Sequence, residues 1–460
     1  MNAETPARNT GWWRALSDAP PAAILAVGWL VLVVYAYPGQ LSWDSLEYLR
    51  AARDGFYTDA HPPAMSGLWS LTELFVAGPS GMFLLQSLAF ITGLYLAMRK
   101  TFPARGAAWS AALLTVFPPI LLPMGVVDEY ALMVGLLMLG FGALLSIQRR
   151  INVLGLVALG FAIAVHPTAR VAAFPLVVLL FEWPSRPALR RYTVAVGVWL
   201  AMTVLAAGAN WALTDLQIGH ARAERNLFDI AGVLAYSDAD RADADAQRVL
   251  AGTGLRIDHM IHAKVRASYA PRDASTLLSG DNAIWELPLA PDTPVPDAQR
   301  DAIARAWDNL ALGRPLQYLS HRLAVTECVL GILDLEHQAV VVPRYPVARE
   351  IMLDAGLATR SSGLQDKMTD AARALVDNTP LFVPWIYLVL GLVLLPFAGR
   401  YRDIVALLVS GLAAEATLFV TAVDNSYAQS LWLITCACIA LVAVIARKRT
   451  WKRRKTTVHT

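Results

Sequence analysis

The sequence predicts an all-α membrane protein with about ten transmembrane helices and a mostly helical outer-face domain. Composition is the first observation behind this fold class, because 56% of the 460 residues are hydrophobic and only 16% are charged. Soluble domains carry about 25% charged residues. The second observation is that the apolar residues gather into long runs, as a bilayer crossing of about 20 residues requires.

Ten apolar segments are expected to cross the membrane, and a long polar region separates the seventh from the eighth. Three prolines interrupt the third segment, which membrane helices tolerate when neighbours satisfy the freed carbonyls. The segments are Ala22–Tyr37, Gly81–Met98, Ala107–Met124, Ala131–Ile147, Val153–Val165, Val171–Trp183, Val194–Leu213, Leu381–Phe397, Ile404–Val423 and Leu431–Ile445. They divide the chain into an N-terminal transmembrane module (1–213), an outer-face domain (214–379), and C-terminal helices with a basic tail (380–460).

Basic residues predict the orientation, since cytoplasmic loops carry an excess of Lys and Arg. If the N-terminus is inside, the basic clusters at 99–105, 149–150, 186–191, 400–402 and 447–455 all fall on the inner side. Ten crossings then leave both termini in the cytoplasm. The first outer loop (38–80) and the region 214–379 share the outer face.

Charge and cysteine usage exclude other classes of protein. The formal net charge is +3, which is too small for this length to indicate a nucleic-acid partner. The 3 cysteines form no disulfide framework or metal-thiolate motif. The first apolar run continues beyond signal-peptide length without a small-residue cleavage site, so we expect a retained anchor.

The first outer loop is dense in groups that do chemistry, and Asp44 is its leading candidate. A carboxylate just beyond the first apolar helix lies where a lipid head group and a soluble partner both reach it. There it can act as general base and accept a proton from an acceptor hydroxyl. The alternative is that Asp44 only caps a helix over Ser45–Arg53.

Asp59 and His61 belong to the sequence Asp59-Ala60-His61-Pro62-Pro63. The proline pair restricts the backbone and ends any preceding helix. Asp and His side chains held there suit substrate contact, proton transfer or metal binding. They equally suit a capping Asp and a partly buried His at a helix start.

Later outer segments add further candidates. Asp128 and Glu129 lie in a short turn, where they favour either a site or simple complementarity to a helix dipole. Arg170 follows in the next turn and suits a phosphate, although a snorkelling interface Arg is the common alternative. His321 and Arg322 in the polar region are candidate phosphate or sugar contacts, or ordinary surface charge.

These motifs together resemble the GT-C superfamily of integral membrane glycosyltransferases. The resemblance rests on Trp43-Asp44-Ser45-Leu46-Glu47, Tyr57-Thr58-Asp59-Ala60-His61-Pro62-Pro63 and Asp128-Glu129, and is closest to the dolichyl-phosphate-mannose mannosyltransferase type. It implies inverting transfer of a sugar from a polyprenyl-phosphate donor, with Asp44 as base and Asp128 and Glu129 as further catalytic acids. The acceptor is a glycan, lipid or protein.

The resemblance also implies a bacterial cytoplasmic membrane. The chemistry of the residues themselves predicts substrate contacts by Asp59, His61, Arg170, His321 and Arg322. A divalent cation, Mg²⁺ or Mn²⁺, held by Asp44, Asp128 and Glu129 is open, as is metal-free catalysis. A lipid-linked glycan flippase or transporter is the rival class, and it predicts polar groups deep inside the spans. A non-catalytic protein of envelope assembly is a third alternative.

Overall fold

The structure is a computed structural model, and it describes residues 19–181, 188–250, 253, 262–278, 283–284, 293–332, 352–353, 355–357 and 361–458. These residues form nineteen α-helices, three short 3₁₀ helices and no β-strand. The α-helices are α1 Pro21–Ala36, α2 Trp43–Asp54, α3 Pro63–Glu73, α4 Ser80–Met98, α5 Ala104–Thr115, α6 Pro118–Met124, α7 Glu129–Leu144, α8 Arg149–Val165, α9 Ala169–Leu180, α10 Ala188–Leu213, α11 His220–Ala235, α12 Ala239–Val249, α13 His262–Ser268, α14 Asp297–Gly313, α15 Pro315–Leu330, α16 Gly363–Asn378, α17 Pro384–Ala398, α18 Arg402–Thr421 and α19 Leu431–Val458.

Several long apolar helices indicate a membrane protein, but fewer crossings than the sequence predicts. In the part of the chain that the structure describes, four helices are long and apolar enough to span a bilayer: α4, Leu189–Leu213 of α10, α18, and Tyr427–Lys448, which includes most of α19. Helices α5 and α6 meet at 70° and together make a fifth candidate. The predicted count of ten is therefore larger than the structure supports.

Helix length explains the difference. Helices α1, α7, α9 and α17 are apolar but contain between 10 and 17 residues. A 16-residue helix rises only about 24 Å, whereas the hydrocarbon core is about 30 Å thick. Apolarity of a segment says nothing about where caps and prolines end its helix. Helix α1, for example, begins at Pro21 and stops before the Tyr37–Pro38 peptide bond.

The centre of the apolar helices is a tightly packed layer in which α4 lies along α7, and α7 along α8. Small residues permit this approach. A Cβ atom added to Gly142 of α7 would lie 2.2 Å from the carbonyl oxygen of Gly93 on α4. Glycine at such crossings lets two helix backbones touch, which is a common way to associate helices in a bilayer.

The polar region between α10 and α17 is helical where the structure describes it. Helix α11 packs against α14 and α15, and their shared core includes Phe228, Ile303 and Val325. The spacing of apolar residues over Ala298–Leu312 and Asp366–Val376 predicts two amphipathic helices, and α14 and α16 cover these segments.

Short backbone pairings join the loops at one end of the apolar helices. The amide of Gln40 donates to the Gly125 carbonyl at 3.0 Å, and the Val127 amide donates to the Gln40 carbonyl at 2.9 Å. Gly39 precedes this pairing with φ of 124°, and an added Cβ would lie 2.7 Å from the Val127 side chain. Only glycine adopts that backbone region freely, so this position suits the pairing of the first loop (38–80) with the turn before α7.

The first loop is tied to the polar region by a second pairing. The Asp215 amide donates to the Tyr57 carbonyl at 2.8 Å. The Asp215 carboxylate in turn accepts from the Tyr57 amide at 2.9 Å. A third pairing, in which the Ala274 amide donates to the Val423 carbonyl at 2.9 Å, joins the polar region to the turn after α18. The three pairings bring four distant segments to one place.

Candidate functional site

A cavity of about 680 Å³ lies where these segments meet. Its walls come from the first loop, the start of α7, the turn before α9 and the start of that helix, the first turns of α11, and the end of α18 with the turn after it. Four of the predicted site residues line it. Its ionisable lining residues are Asp44, Glu47, His61, Glu129, Tyr130, His166, Arg170, His220, Glu224, Arg225 and Asp424.

Asp44 lies in the first turn of α2 and faces this cavity. The helix is capped by Ser42, whose hydroxyl accepts from the Ser45 amide at 3.1 Å while the Ser45 hydroxyl accepts from the Ser42 amide at 2.8 Å. The cap therefore does not use the Asp44 carboxylate. Burial beneath the surrounding walls raises the pKa of Asp44; nearby His61 lowers it, and the charges of Glu129 and Glu47 raise it further.

His61 lies beside Asp44 and is paired with Glu47. Its Nε2 is 3.0 Å from a Glu47 carboxylate oxygen, and its ring lies against Tyr48 with centroids 4.9 Å apart. Burial lowers the pKa of His61, but the hydrogen bond to Glu47 and the charges of Glu129 and Asp44 outweigh burial and raise it to about 9. His61 is therefore an imidazolium at neutral pH and offsets the negative charge of the acids.

Glu129 begins α7 and is held from two sides. The Tyr48 hydroxyl donates to one carboxylate oxygen, and His166 Nε2 lies 3.6 Å from the other. Burial lowers the pKa of His166, although Glu129 raises it in part, so this imidazole is neutral at pH 7. The Glu129 carboxylate is therefore held in a fixed orientation, and it lines the same cavity as Asp44.

Asp128 and Asp59 do not line this cavity. Asp128 caps α7 by accepting from the Ala131 amide at 2.7 Å, and burial raises its pKa to about 7. Asp59 accepts from the amides of Ile218 and Gly219 at 2.5 and 3.0 Å. Asp128 thus caps α7, and Asp59 attaches the first loop to the segment before α11.

The metal-ligand set considered from the sequence does not assemble. Among the described residues, no group of three or more His, Cys, Asp or Glu side chains is arranged to hold a metal ion. The physical reason lies in the turn before α7. The Asp128 carboxylate accepts a hydrogen bond from the Ala131 amide of that helix, while Glu129 faces the cavity. Asp44, Asp128 and Glu129 therefore do not converge as three ligands.

His321 and Arg322 lie away from the cavity surface, inside the helical polar region. Both side chains are fully buried, and both pair with the same Asp229 oxygen, at 2.9 Å for His321 Nε2 and 2.5 Å for Arg322 Nη2. The indole of Trp307 donates to the other Asp229 oxygen at 2.7 Å. Arg322 also donates to the Ala422 carbonyl at 2.7 Å, so it supports the cavity wall from behind.

Glu224, Arg225 and Asp424 are among the lining residues that the sequence did not predict. The Asp424 carboxylate accepts from the Ser426 amide at 2.7 Å and from the Gln429 side chain at 2.6 Å. Burial raises its pKa to about 6, and burial together with Asp424 raises the pKa of Glu224. Asp424 had a visible signal, being an acid in an outer turn directly after a long apolar segment.

Two cationic side chains in the cavity have no anionic partner. Within the described residues, neither Arg170 nor Arg225 has a carboxylate oxygen within 4 Å, although both line the cavity and both are exposed to it. A guanidinium offers several donors that match the oxygens of a phosphate. The cavity therefore combines an acidic side, at Asp44 and Glu129, with cations free to bind an anion.

No family model, no curated protein and no solved structure matches this chain.

Proposed function

We propose that this protein is a membrane glycosyltransferase that moves a sugar from a polyprenyl-phosphate carrier to an acceptor hydroxyl. The observation that carries the proposal is the 680 Å³ cavity, which joins the Asp44 carboxylate to two unpaired arginines, Arg170 at the start of the apolar helix α9 and Arg225 in α11. An acceptor hydroxyl and a lipid phosphate require those two chemistries side by side.

In the proposed reaction the acceptor hydroxyl donates its proton to the Asp44 carboxylate as its oxygen attacks the first carbon of the donor sugar. The new glycosidic bond forms as the bond from that carbon to the phosphate oxygen breaks. The electron pair leaves with the polyprenyl phosphate. Attack from the face opposite the leaving group inverts the configuration of the sugar.

The charges in the cavity support this division of roles. Arg170 and Arg225 would bind the phosphate and stabilise the negative charge that grows on it as the bond breaks. The raised pKa of Asp44 makes its carboxylate a stronger base than an ordinary aspartate, which favours proton transfer. The imidazolium of His61 keeps that carboxylate ionised beside Glu129.

The apolar surroundings support a lipid-linked donor. Val171 of α9, and Thr417, Leu418 and Thr421 of the membrane-spanning candidate α18, line the same cavity as the arginines. A phosphate bound there places its polyprenyl chain against the apolar surfaces of these helices. Chain burial against apolar surface stabilises binding by about 0.8 kcal/mol for each methylene group.

The same proposal includes the topology expected from the sequence. The cavity would open at the outer face of the cytoplasmic membrane, both termini would lie in the cytoplasm, and the acceptor would be a glycan, lipid or protein. The distribution of basic residues supports this orientation.

Turnover in lipid nanodiscs tests the proposal. Purified protein is mixed with radiolabelled polyprenyl-phosphate sugars and a membrane-extract acceptor, and loss of sugar from the lipid is followed. We expect Asp44→Asn to lower the rate at least about a hundredfold, while Asp308→Asn, which removes an exposed carboxylate on α14, leaves it unchanged. Equal rates for Asp44→Asn and wild type would refute the role of Asp44 as base. Movement of intact lipid-linked sugar across liposomes without transfer would favour a flippase.

A further inference from the structure

A second cavity, of about 470 Å³, adjoins the first, and the proposed transfer gives it no role. It lies between α2, the segment after α2, the start of α3, and the segment before α11. The polar, charged and aromatic side chains of its lining are Glu47, Tyr48, Arg50, Asp54, Phe56, Tyr57, Thr58, His61, Ser66 and His220.

The lining of this second cavity is a mixture of aromatic faces and hydrogen-bonding groups. Phe56 is 43% exposed and Tyr57 is half-buried beside it, so two rings are available to a ligand. Carboxylates, hydroxyls and imidazoles supply acceptors and donors around them. Small-molecule sites combine such groups: an aromatic ring packs against the C–H groups of the ligand, and polar side chains bind its hydroxyl groups.

The two cavities differ in the balance of their charged side chains. In the second cavity the carboxylates of Glu47 and Asp54 are matched by Arg50 and by the His61 imidazolium. Glu47 is bonded directly to His61 at 3.0 Å, and the charge of Arg50 acts on the same carboxylate. A site with balanced charge favours a neutral ligand rich in hydroxyl groups over a phosphate.

The position of the shared wall gives this ligand access to the base. Glu47 and His61 line both cavities, and so do Ala60 and His220. Asp44 lies one helical turn before Glu47 and feels the charge of His61. A ligand held against Phe56 and Tyr57 therefore extends past the Glu47–His61 pair towards the Asp44 carboxylate.

We propose that this second cavity is the acceptor subsite and that it binds a neutral carbohydrate, one hydroxyl of which reaches Asp44. This assignment rests on the proposed glycosyl transfer for its role, but the binding of carbohydrate stands by itself. The first cavity then holds the sugar phosphate of the donor, and the second selects the acceptor.

Saturation-transfer NMR on the full-length protein in nanodiscs tests the assignment without any turnover. The probes are neutral disaccharides such as cellobiose, lactose, trehalose and mannobiose at millimolar concentration, with a serine-containing peptide as the competing acceptor class. We expect saturation of at least one disaccharide, reduced about tenfold in Phe56→Ala and in Tyr57→Ala. The backbone pairing of Tyr57 does not depend on its ring, so this variant keeps the loop attached.

A matched control removes a phenyl ring outside both cavities. Phe75 is 87% exposed after α3, so Phe75→Ala keeps full saturation. No saturation from any disaccharide, equal saturation in all variants, or saturation of the peptide alone would overturn the carbohydrate assignment. Disaccharide binding with no sugar transfer from any donor would instead refute the proposed function and leave the binding site intact.

Discussion

Replacing Glu47 by Gln should lower the pKa of His61, and the size of the effect follows from the structure. The pKa of His61 is raised from 6.5 to about 9, which is equivalent to about 3 kcal/mol at about 1.4 kcal/mol for each tenfold change. The imidazole is 30% exposed and Glu47 is 52% exposed. Solvent screening of such a pair reduces the contribution to about 1–2 kcal/mol.

The direction of the pH dependence follows from the sign of this shift. Because the folded-state pKa of His61 lies above its ordinary value, the added stability is fully present below pH 6.5 and is lost as pH rises through about 9. The thermal midpoint of the wild-type protein should therefore fall across that interval. Glu47→Gln should flatten this fall, since the uncharged amide no longer favours the imidazolium.

Histidine-ring NMR on ¹³C-labelled protein in nanodiscs measures the pKa directly. The signal of His61 among the 8 histidines is assigned from its absence in His61→Gln. We expect Glu47→Gln to move the pKa back towards 6.5 by about one pH unit or more. Asp54→Asn, which removes a carboxylate from the same helix, serves as control. An unchanged His61 pKa in Glu47→Gln, or a wild-type pKa near 6.5, would refute the electrostatic account of the site.

Three further variants probe the phosphate site, the loop pairing and the buried network. Arg170→Gln should weaken the apparent affinity for the polyprenyl-phosphate donor about tenfold, with the acceptor KM unchanged, in steady-state kinetics; equal effects on both substrates would contradict phosphate binding. Gly39→Ala should cost about 1–3 kcal/mol by thermal unfolding, whereas Gly363→Ala, which has open space around it, should cost far less. Trp307→Phe should destabilise by about 1–3 kcal/mol by leaving the buried Asp229 short of a donor; unchanged stability would contradict that role.

The part of the site that the sequence predicts consists of residues adjacent to helix ends in outer loops. Asp44 and Glu129 each lie at the start of a helix that follows an apolar segment. Because the sequence predicts that both loops lie on one side of the membrane, it also predicts that these two carboxylates lie close together. The backbone pairing of Gln40 with the second loop, which produces the proximity, has no signature in the sequence because isolated bridges depend on geometry alone.

The polar region was the harder part to predict. His321 and Arg322 have the composition of an exposed basic pair, yet Asp229, 92 residues earlier than His321, draws both into the interior. Buried charges require such a partner, but a sequence does not identify which of 36 acidic residues supplies it. Glu224 and Arg225 gave no signal for the same reason, since their position on the cavity depends on how α11 packs against α14 and α15.

The Glu47–His61 pair has a thermodynamic consequence because it is a wall common to two cavities. Whatever occupies one cavity changes the field and the space on this wall, and so changes the free energy of occupying the other. Linkage makes such an effect reciprocal: if a phosphate lipid tightens the hold on a disaccharide by some factor, the disaccharide tightens the hold on the lipid by the same factor. Two hydrogen-bonded side chains would then couple the binding of the two ligands by the same factor, whichever ligand binds first.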